Sequence, residues 1–216
     1  MILIYGKNKN LCLSAREIFL GMGYISEVAD GEALPKARHR GVILLGREES
    51  HAGRELVRKI RTVFPKMPII AVREDLHTVS GEVDAVFPCS LSVAYAAREM
   101  ERIAAARGCT PIGRYAVGGL SAAAGEAITL YGEAVELTKA EGAILRALLA
   151  VYPSGLSAEE IAGLAFRGGR EPSSSGVRTH ISAINRRLRA VAGENLLLSD
   201  GGQYSIKIRT RKAMTV

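Results

Sequence analysis

The reading of this chain turns on one stretch, Gly176-Val177-Arg178-Thr179-His180-Ile181-Ser182-Ala183-Ile184-Asn185-Arg186-Arg187-Leu188-Arg189-Ala190-Val191. Val177, Ile181, Ile184 and Leu188 recur at spacings of 4, 3 and 4, which lays a single apolar stripe along a helix. At about 100° per residue, Thr179, Ser182, Ala183 and Arg186 fall on the opposite face. Arg178, Asn185 and Arg189 fall on one flank, and His180 and Arg187 on the other. The helix carries four arginines and no acid. Such an outer face is poorly suited to packing against protein. It suits the major groove of double-stranded DNA, where short polar side chains permit close approach and arginines reach guanine edges or phosphates.

The sequence around this helix agrees. Leu137-Thr138-Lys139-Ala140-Glu141 opens an earlier helix, with Thr138 as N-cap and Glu141 completing a capping box. Ile144, Leu145, Leu148 and Leu149 are its apolar face, and Pro153 stops it. Ser157 and Glu160 repeat the capping-box spacing before a second helix with Ile161, Leu164 and Phe166 facing inward. Residues 167–175 form a polar loop, and Gly176–Val191 is the third helix. Leu196 to Ile206 reads as a β-hairpin with Ser199-Asp200-Gly201-Gly202 at its turn, and Lys207, Arg209, Arg211 and Lys212 follow. Upstream, 114–137 is broken by Gly118-Gly119, by an Ala/Gly stretch at 122–125 and by Tyr131-Gly132, as short antiparallel strands are. Charge follows the same division. Residues 167–216 hold 10 basic and 3 acidic side chains, a net +7, whereas 109–166 net −3 and 1–108 net +3. A polyanion is drawn to the last fifty residues.

These segments resemble the winged-helix effector domain of the OmpR/PhoB response-regulator family. Leu137–Glu141 resembles its "LT..E" helix start, Leu156–Ile161 its "vsreeL" second helix, and Val177–Leu188 its "vdvhIsrLRrKL" recognition helix. Gly201-Gly202-Gln203-Tyr204 stands where the family has "GxGY" in the wing. The resemblance implies a four-stranded N-terminal sheet, three helices and a C-terminal hairpin, with the recognition helix in the major groove and the wing on the minor groove or backbone. The implied DNA-binding residues are Arg178, Thr179, His180, Ser182, Ala183, Asn185, Arg186, Arg187, Arg189, Gly201, Gly202 and Tyr204. Two departures stand out. Asp200 replaces the family's arginine before the wing glycine, and Ser182 and Ala183 occupy the positions of two frequent DNA-contacting arginines. The loop at 167–175 meets RNA polymerase in related effectors, which makes Arg167 and Arg170 candidates for that contact.

The first half has a different rhythm. Ile2–Tyr5, Ile25–Ala29, Gly41–Leu45, Pro68–Val72 and Asp84–Phe87 are short apolar strands. Helices at about 11–22, 32–38, 51–62 and 92–106 alternate with them. Continuous apolar strands separated by helices indicate a parallel sheet covered on both faces. The expected fold class is therefore α/β: a doubly wound (βα)5 domain over 1–106, a linker over 107–113, and an α+β winged helix-turn-helix domain over 114–216.

Val28-Ala29-Asp30-Gly31-Glu32-Ala33-Leu34 resembles the "A.dGeeAL" run of the receiver domain that usually precedes this effector. The receiver's chemistry does not carry over. The acid pair that holds Mg²⁺ after the first strand is replaced by Gly6-Lys7-Asn8. The phosphoacceptor aspartate at the end of the third strand falls on Gly46. The hydroxyl position after the fourth strand aligns with Arg73, and the lysine after the fifth with Cys89 or Pro88. Metal-assisted phosphoryl transfer needs carboxylates on the metal and a carboxylate nucleophile, and neither Gly6-Lys7-Asn8 nor Gly46 supplies one, so a pseudo-receiver independent of aspartate phosphorylation is expected. The alternative is a conventional two-component regulator phosphorylated at a displaced acid, Glu48, Glu49 or Asp75. Only about eleven residues join Arg73 to Asp84, so the fourth receiver helix is expected to be short or missing. Leu91, Val93, Ala96, Ala97, Met100, Ile103 and Ala104 give the last helix an apolar surface, part core and part a candidate homodimer interface.

The chain as a whole sets outer bounds. A hydrophobic share of 48% against 24% charged supplies enough apolar surface for packed cores. No apolar run reaches the ~18 residues of a membrane span. Met1–Tyr5 lacks the positive start of a secretory signal. Cys12, Cys89 and Cys109 are too few and too scattered for a disulfide framework or a zinc site, and a reducing cytoplasmic setting fits them. Cys89 and Cys12 read first as structural thiols. Lys7 and Lys9 leave room for a small acidic effector of unknown identity. No metal, cofactor or catalytic cluster is expected. The expected function is a sequence-specific DNA-binding transcription regulator, with a protein-binding winged helix as the alternative of a different class.

Overall fold

The computed structural model describes residues 1–46, 50–73, 82–88, 93–166 and 173–207. The chain divides into two compact units, Met1–Gly113 and Arg114–Val216.

The first unit runs β1 (Ile2–Gly6), α1 (Lys9–Gly21), β2 (Ser26–Val28), β3 (Gly41–Leu45), α2 (His51–Val63), β4 (Ile69–Arg73), β5 (Ala85–Pro88) and α3 (Val93–Ala106). The five strands are parallel in the order β2-β1-β3-β4-β5. This is the doubly wound arrangement, with its switch in strand order beside β1. Alternate residues face opposite sides of the sheet. Leu3, Tyr5, Val42, Leu44, Ile69 and Ala71 pack with Leu56, Val57 and Ile60 of α2 in one core layer. Ile2, Ile4, Ile43 and Ile70 face the other way and are equally buried, beneath α1 and α3, which pack together. Side-chain caps start two of the helices: Asn8 accepts from the amide of Leu11, and Ser50 from that of Gly53.

Three expectations are corrected here. No helix forms at 32–38. Pro35 disfavours helical backbone at Leu34. His39 Nδ1 accepts the Lys36 amide at 2.7 Å, and the Tyr5 hydroxyl donates to the Ala33 carbonyl at 2.6 Å, which fixes the segment as turns. The 107–113 segment is not a free connector but part of the first unit. The amides of Ile112 and Gly113 donate to the Glu101 carboxylate at 2.9 and 2.8 Å, Arg107 pairs with Asp84, and Ile112 is buried. On α3, Ala96, Ala97, Met100, Ile103 and Ala104 all lie in the core, so they offer no dimer face. Among the described residues of α3 the large apolar side chain left exposed is Tyr95, edge-on against Phe87. Leu91 and the expected short fourth helix lie outside the described residues, and the same holds for the side chain of Val93.

The second unit opens with an antiparallel sheet, β6 (Arg114–Val117), β7 (Leu120–Ala123), β8 (Thr129–Leu130) and β9 (Glu133–Ala134), paired in sequence order. There follow α4 (Lys139–Val151), β10 (Leu156–Ser157), α5 (Ala158–Ala165), α6 (Ser174–Ala192), β11 (Leu197–Asp200) and β12 (Gln203–Ile206). Both expected capping boxes are formed, at Thr138/Glu141 and at Ser157/Glu160. The α6 helix begins two residues earlier than its apolar stripe suggests, because Ser173 caps it by accepting from the Gly176 amide. Its stripe is buried throughout: Val177, Ile181, Ile184 and Leu188. The hairpin turns on Gly201 and Gly202, at φ 53° and 80°. A two-residue turn with both central residues left-handed matches the twist of the flanking strands, and glycine adopts it without steric cost. A third strand, β10, pairs with β12 and ties the hairpin to the start of α5.

His39 provides a measurable handle on the first unit. Its Nδ1 accepts a backbone amide, so in the neutral ring Nε2 carries the proton and faces the Glu27 carboxylate at 3.2 Å. Burial pulls the His39 pKa down against the opposing effect of Glu27. Its hydrogen bond with His39, together with the Arg38 pair, holds Glu27 at about 2. Both folded pKa values lie below their unfolded ones, so both contributions are present at neutral pH and lost on acidification. The histidine part fades first, as pH drops below about 6.5. We expect the midpoint of thermal unfolding to fall between pH 7 and pH 5. His39→Gln should flatten that dependence, and an equally steep loss in the variant would refute the assignment.

Candidate nucleic-acid interface

The α6 helix is anchored along both flanks. On the hairpin side, Asn185 donates from its amide nitrogen to the Leu197 carbonyl at 2.8 Å. It accepts from the Leu197 amide through its oxygen at 2.9 Å. One side chain thus satisfies both backbone groups of a buried strand residue. One turn on, Arg189 donates twice to the Asn195 side chain, at 3.0 and 2.6 Å. On the other flank, Arg187 donates to the Glu136 carbonyl at 2.7 Å and lies 3.4 Å from the carboxylate of buried Glu141. His180 sits against the Phe166 ring, centroids 6.0 Å apart.

What remains is a continuous outer face. Arg178, Thr179, Ser182 and Arg186 are all exposed, joined by Ser175 one turn before Thr179. Among the described residues neither Arg178 nor Arg186 has an ion pair or a side-chain hydrogen bond. The two hydroxyls are committed inward: Thr179 donates to the Ser175 carbonyl at 3.1 Å and Ser182 to the Arg178 carbonyl at 3.0 Å. At the hairpin tip Gly201 and Gly202 are exposed, and Lys207 is exposed at the base of β12.

The twelve residues marked out by the sequence therefore separate. Arg178, Thr179, Ser182 and Arg186 share one solvent-facing surface, and Gly201 and Gly202 form an exposed turn. Ala183 is half-buried beside them. Asn185, Arg187, Arg189 and His180 are engaged within the unit. Tyr204 is buried and belongs to the core under β12, which corrects its expected place on the surface: strand alternation turns it inward. Ser175 precedes the apolar stripe, so the sequence pattern does not single it out. Asn195 and Leu197 carry no sequence signal either, because the partners of a flank residue are set by tertiary packing. Arg167, Arg170, Arg209, Arg211 and Lys212 lie outside the described residues.

In the first unit the carboxyl ends of the strands present Gly6 and Gly46, which have no side chain, exposed Lys7, and buried Arg73. A Cβ on Gly6 would stand 2.5 Å from the sulfur of Cys12. An acid at that position therefore requires Cys12 to move. Cys12 is itself buried on α1, and burial pushes its thiol pKa up. A Mg²⁺ of the kind the receiver resemblance implies needs oxygen ligands here, and these residues do not fit it. Among the described residues no group of three or more His, Cys, Asp or Glu side chains is placed to hold a metal. Cys89 and the acids Glu48, Glu49 and Asp75 lie outside the described residues. Among those that are described, no helix is long and apolar enough to cross a membrane.

No family model matches the chain, and no curated protein does. Solved structures do align with it. One is the response regulator DrrB of Thermotoga maritima, described as an OmpR/PhoB homolog. It is 18% identical over 95% of this chain and 98% of that one, with a TM-score of 0.42. Another is described as a novel family of redox sensors in the streptococci evolved from two-component response regulators. It is 14% identical over 96% and 99%, with a TM-score of 0.40. A CheY-like response regulator receiver domain protein from Methanospirillum hungatei JF-1 covers 50% of this chain and 94% of its own, at 17% identity and a TM-score of 0.42.

The division between anchored and free side chains is measurable by stability alone. Asn185→Ala strips two buried backbone groups of their partner and should cost about 1–3 kcal/mol of the second unit's stability. Arg178→Ala and Arg186→Ala should stay within about 0.5 kcal/mol of the parent. Urea unfolding of the three variants checks this. A destabilised Arg186→Ala would show that the guanidinium is engaged within the fold.

Proposed function

We propose that this chain is a sequence-specific, double-stranded-DNA-binding transcription regulator of the OmpR/PhoB response-regulator type. In this reading the second unit is a winged helix-turn-helix domain, α6 its recognition helix and β11–β12 its wing. The observation that carries it is the outer face of α6. Two unpaired arginines and two short hydroxyl side chains line one surface with no acid among them, on a helix fixed along both flanks. A rigid, cationic, shallow ridge of helical diameter is complementary to the major groove. Arg178 and Arg186 meet base edges or phosphates, and the glycine turn of the wing approaches the backbone closely. Lys207 adds charge at its base. A homodimer would set two half-sites about one helical turn apart, as direct or inverted repeats.

The first unit in this reading is a receiver-like frame that acts without aspartate phosphorylation. Its strand ends offer Gly6, Lys7 and Gly46 where phosphoryl transfer needs carboxylates, and Arg73 where it needs a hydroxyl. Some other input, or dimerisation alone, then governs the regulator, which works in the cytoplasm and needs no cofactor.

Selection of bound sequences from random duplexes, with no phosphodonor present, should enrich a repeated half-site. Affinity for the enriched duplex should fall at least tenfold or so between 50 and 200 mM salt, since phosphate contacts release counterions. The double variant Arg178→Ala/Arg186→Ala should lose most of this binding. Incubation with a small phosphodonor and Mg²⁺ should leave the intact mass unchanged. A phosphoryl adduct would establish instead a conventional regulator phosphorylated at a displaced acid.

A further inference from the structure

We propose that between Arg178 and Arg189 base reading by α6 is confined to Arg178, Thr179, Ser182 and Arg186, and that the two free guanidinium groups select a half-site bounded by guanines. The assignment rests on the DNA-binding reading above and goes beyond it by naming the bases.

The argument begins with subtraction. Six polar side chains project from the flanks and the outer face between Arg178 and Arg189 in addition to Thr179 and Ser182: Arg178, His180, Asn185, Arg186, Arg187 and Arg189. Asn185 would be the natural reader of adenine, since its amide can pair with N6 and N7. Its amide is instead filled on both sides by the backbone of Leu197. Arg187 faces Glu136 and Glu141, Arg189 faces Asn195, and His180 lies on Phe166. Redirecting Asn185 or Arg187 to DNA would strip a buried group of its partner, and Arg189 and His180 already have partners within the unit. Arg178 and Arg186 are the guanidinium groups left unengaged.

The hydrogen-bonding sense of each reader then follows. A guanidinium only donates, and the acceptor pair it fits in the major groove is O6 and N7 of guanine. Thr179 and Ser182 have committed their protons to the carbonyls of Ser175 and Arg178. Toward a groove each therefore presents oxygen lone pairs. Lone pairs select the exocyclic amino groups, N6 of adenine or N4 of cytosine. The helix thus shows the groove a donor, two acceptors and a donor. Arg178 and Arg186 are eight residues apart, about 12 Å along the axis at 1.5 Å per residue. With base pairs stacked every 3.4 Å or so, that separation matches two guanines about four steps apart.

The test pairs protein variants with a base analogue. Random-duplex selection defines the half-site for the parent chain, which should show two guanines within about four steps. Each guanine is then replaced singly by 7-deazaguanine, which lacks the N7 acceptor. The parent should lose affinity about tenfold at each guanine. Arg178→Ala should become indifferent to the analogue at one guanine while still sensing the other, and Arg186→Ala should show the converse. Both substitutions lie on the exposed face, so the fold is retained, and circular dichroism verifies it. A half-site without guanine, or two variants that sense the analogue at both positions as the parent does, overturns this assignment and leaves DNA binding standing. Failure of the parent to bind any duplex at low salt overturns the functional reading, and this assignment with it.

Discussion

A carboxylate taken out of water has to be met by donors, and Glu141 is the buried carboxylate on which the second unit turns. It lies in the first turn of α4, where it receives the backbone amide of Thr138 at 2.7 Å in the capping box and the guanidinium of Arg187 at 3.4 Å. Arg187 also reaches the carbonyl of Glu136. A local helix start and a distant helix are thereby joined through one charge. Removing Arg187 leaves the buried Glu141 carboxylate with the Thr138 amide but no countercharge, which costs more than the loss of a surface pair. The pair holds α6 from one side while Asn185 holds it from the other. The orientation of the outer face is therefore set by groups that never need to touch a ligand.

The same economy explains why the four arginines of α6 are not equivalent. All look alike in sequence, and all lie in the half of the helix that faces away from its apolar stripe or on the borders of that half. Arg187 answers the buried Glu141 and Arg189 the side chain of Asn195, whereas Arg178 and Arg186 have no ion pair or side-chain hydrogen bond among the described residues. A cationic face can tolerate that arrangement because an exposed guanidinium stays hydrated. It also remains available for a stronger acceptor than water. In the functional reading proposed here, rigidity comes from the border residues and recognition from the outer ones, so α6 approaches a groove already ordered.

Much of this was legible in the sequence. The apolar stripe of α6, both capping boxes, the glycine turn and the five apolar strands each rest on a local rule, and the backbone follows them. What escaped was tertiary. Asn185 looks like a base reader until Leu197 is placed beside it. Tyr204 sits in a run of glycines and polar residues, yet the pairing of β12 with β10 turns it inward. The Asp30–Arg38 stretch has helix-forming residues, but Pro35 and the buried His39 ring impose turns. On α3 the apolar residues are more than one core face needs by sequence pattern. Among the described residues Ala96, Ala97, Met100, Ile103 and Ala104 are all buried, and Met100 closes with Ile112 over Gly41, where no side chain stands between helix and sheet.

The two units differ in how packing constrains their functional edges. In the second, the outer face of α6 can hold its side chains only if the flanks are anchored, and the anchors are part of the core. In the first, the strand ends are mixed: Lys7 and Gly46 are exposed, whereas Arg73 is buried and Gly6 packs against Cys12. Glycine at 6 even packs better than an acid would, since Cys12 fills the space. The apolar layers on both faces of the sheet are what hold this frame, and they do so without any contribution from Lys7 or Gly46 at its edge.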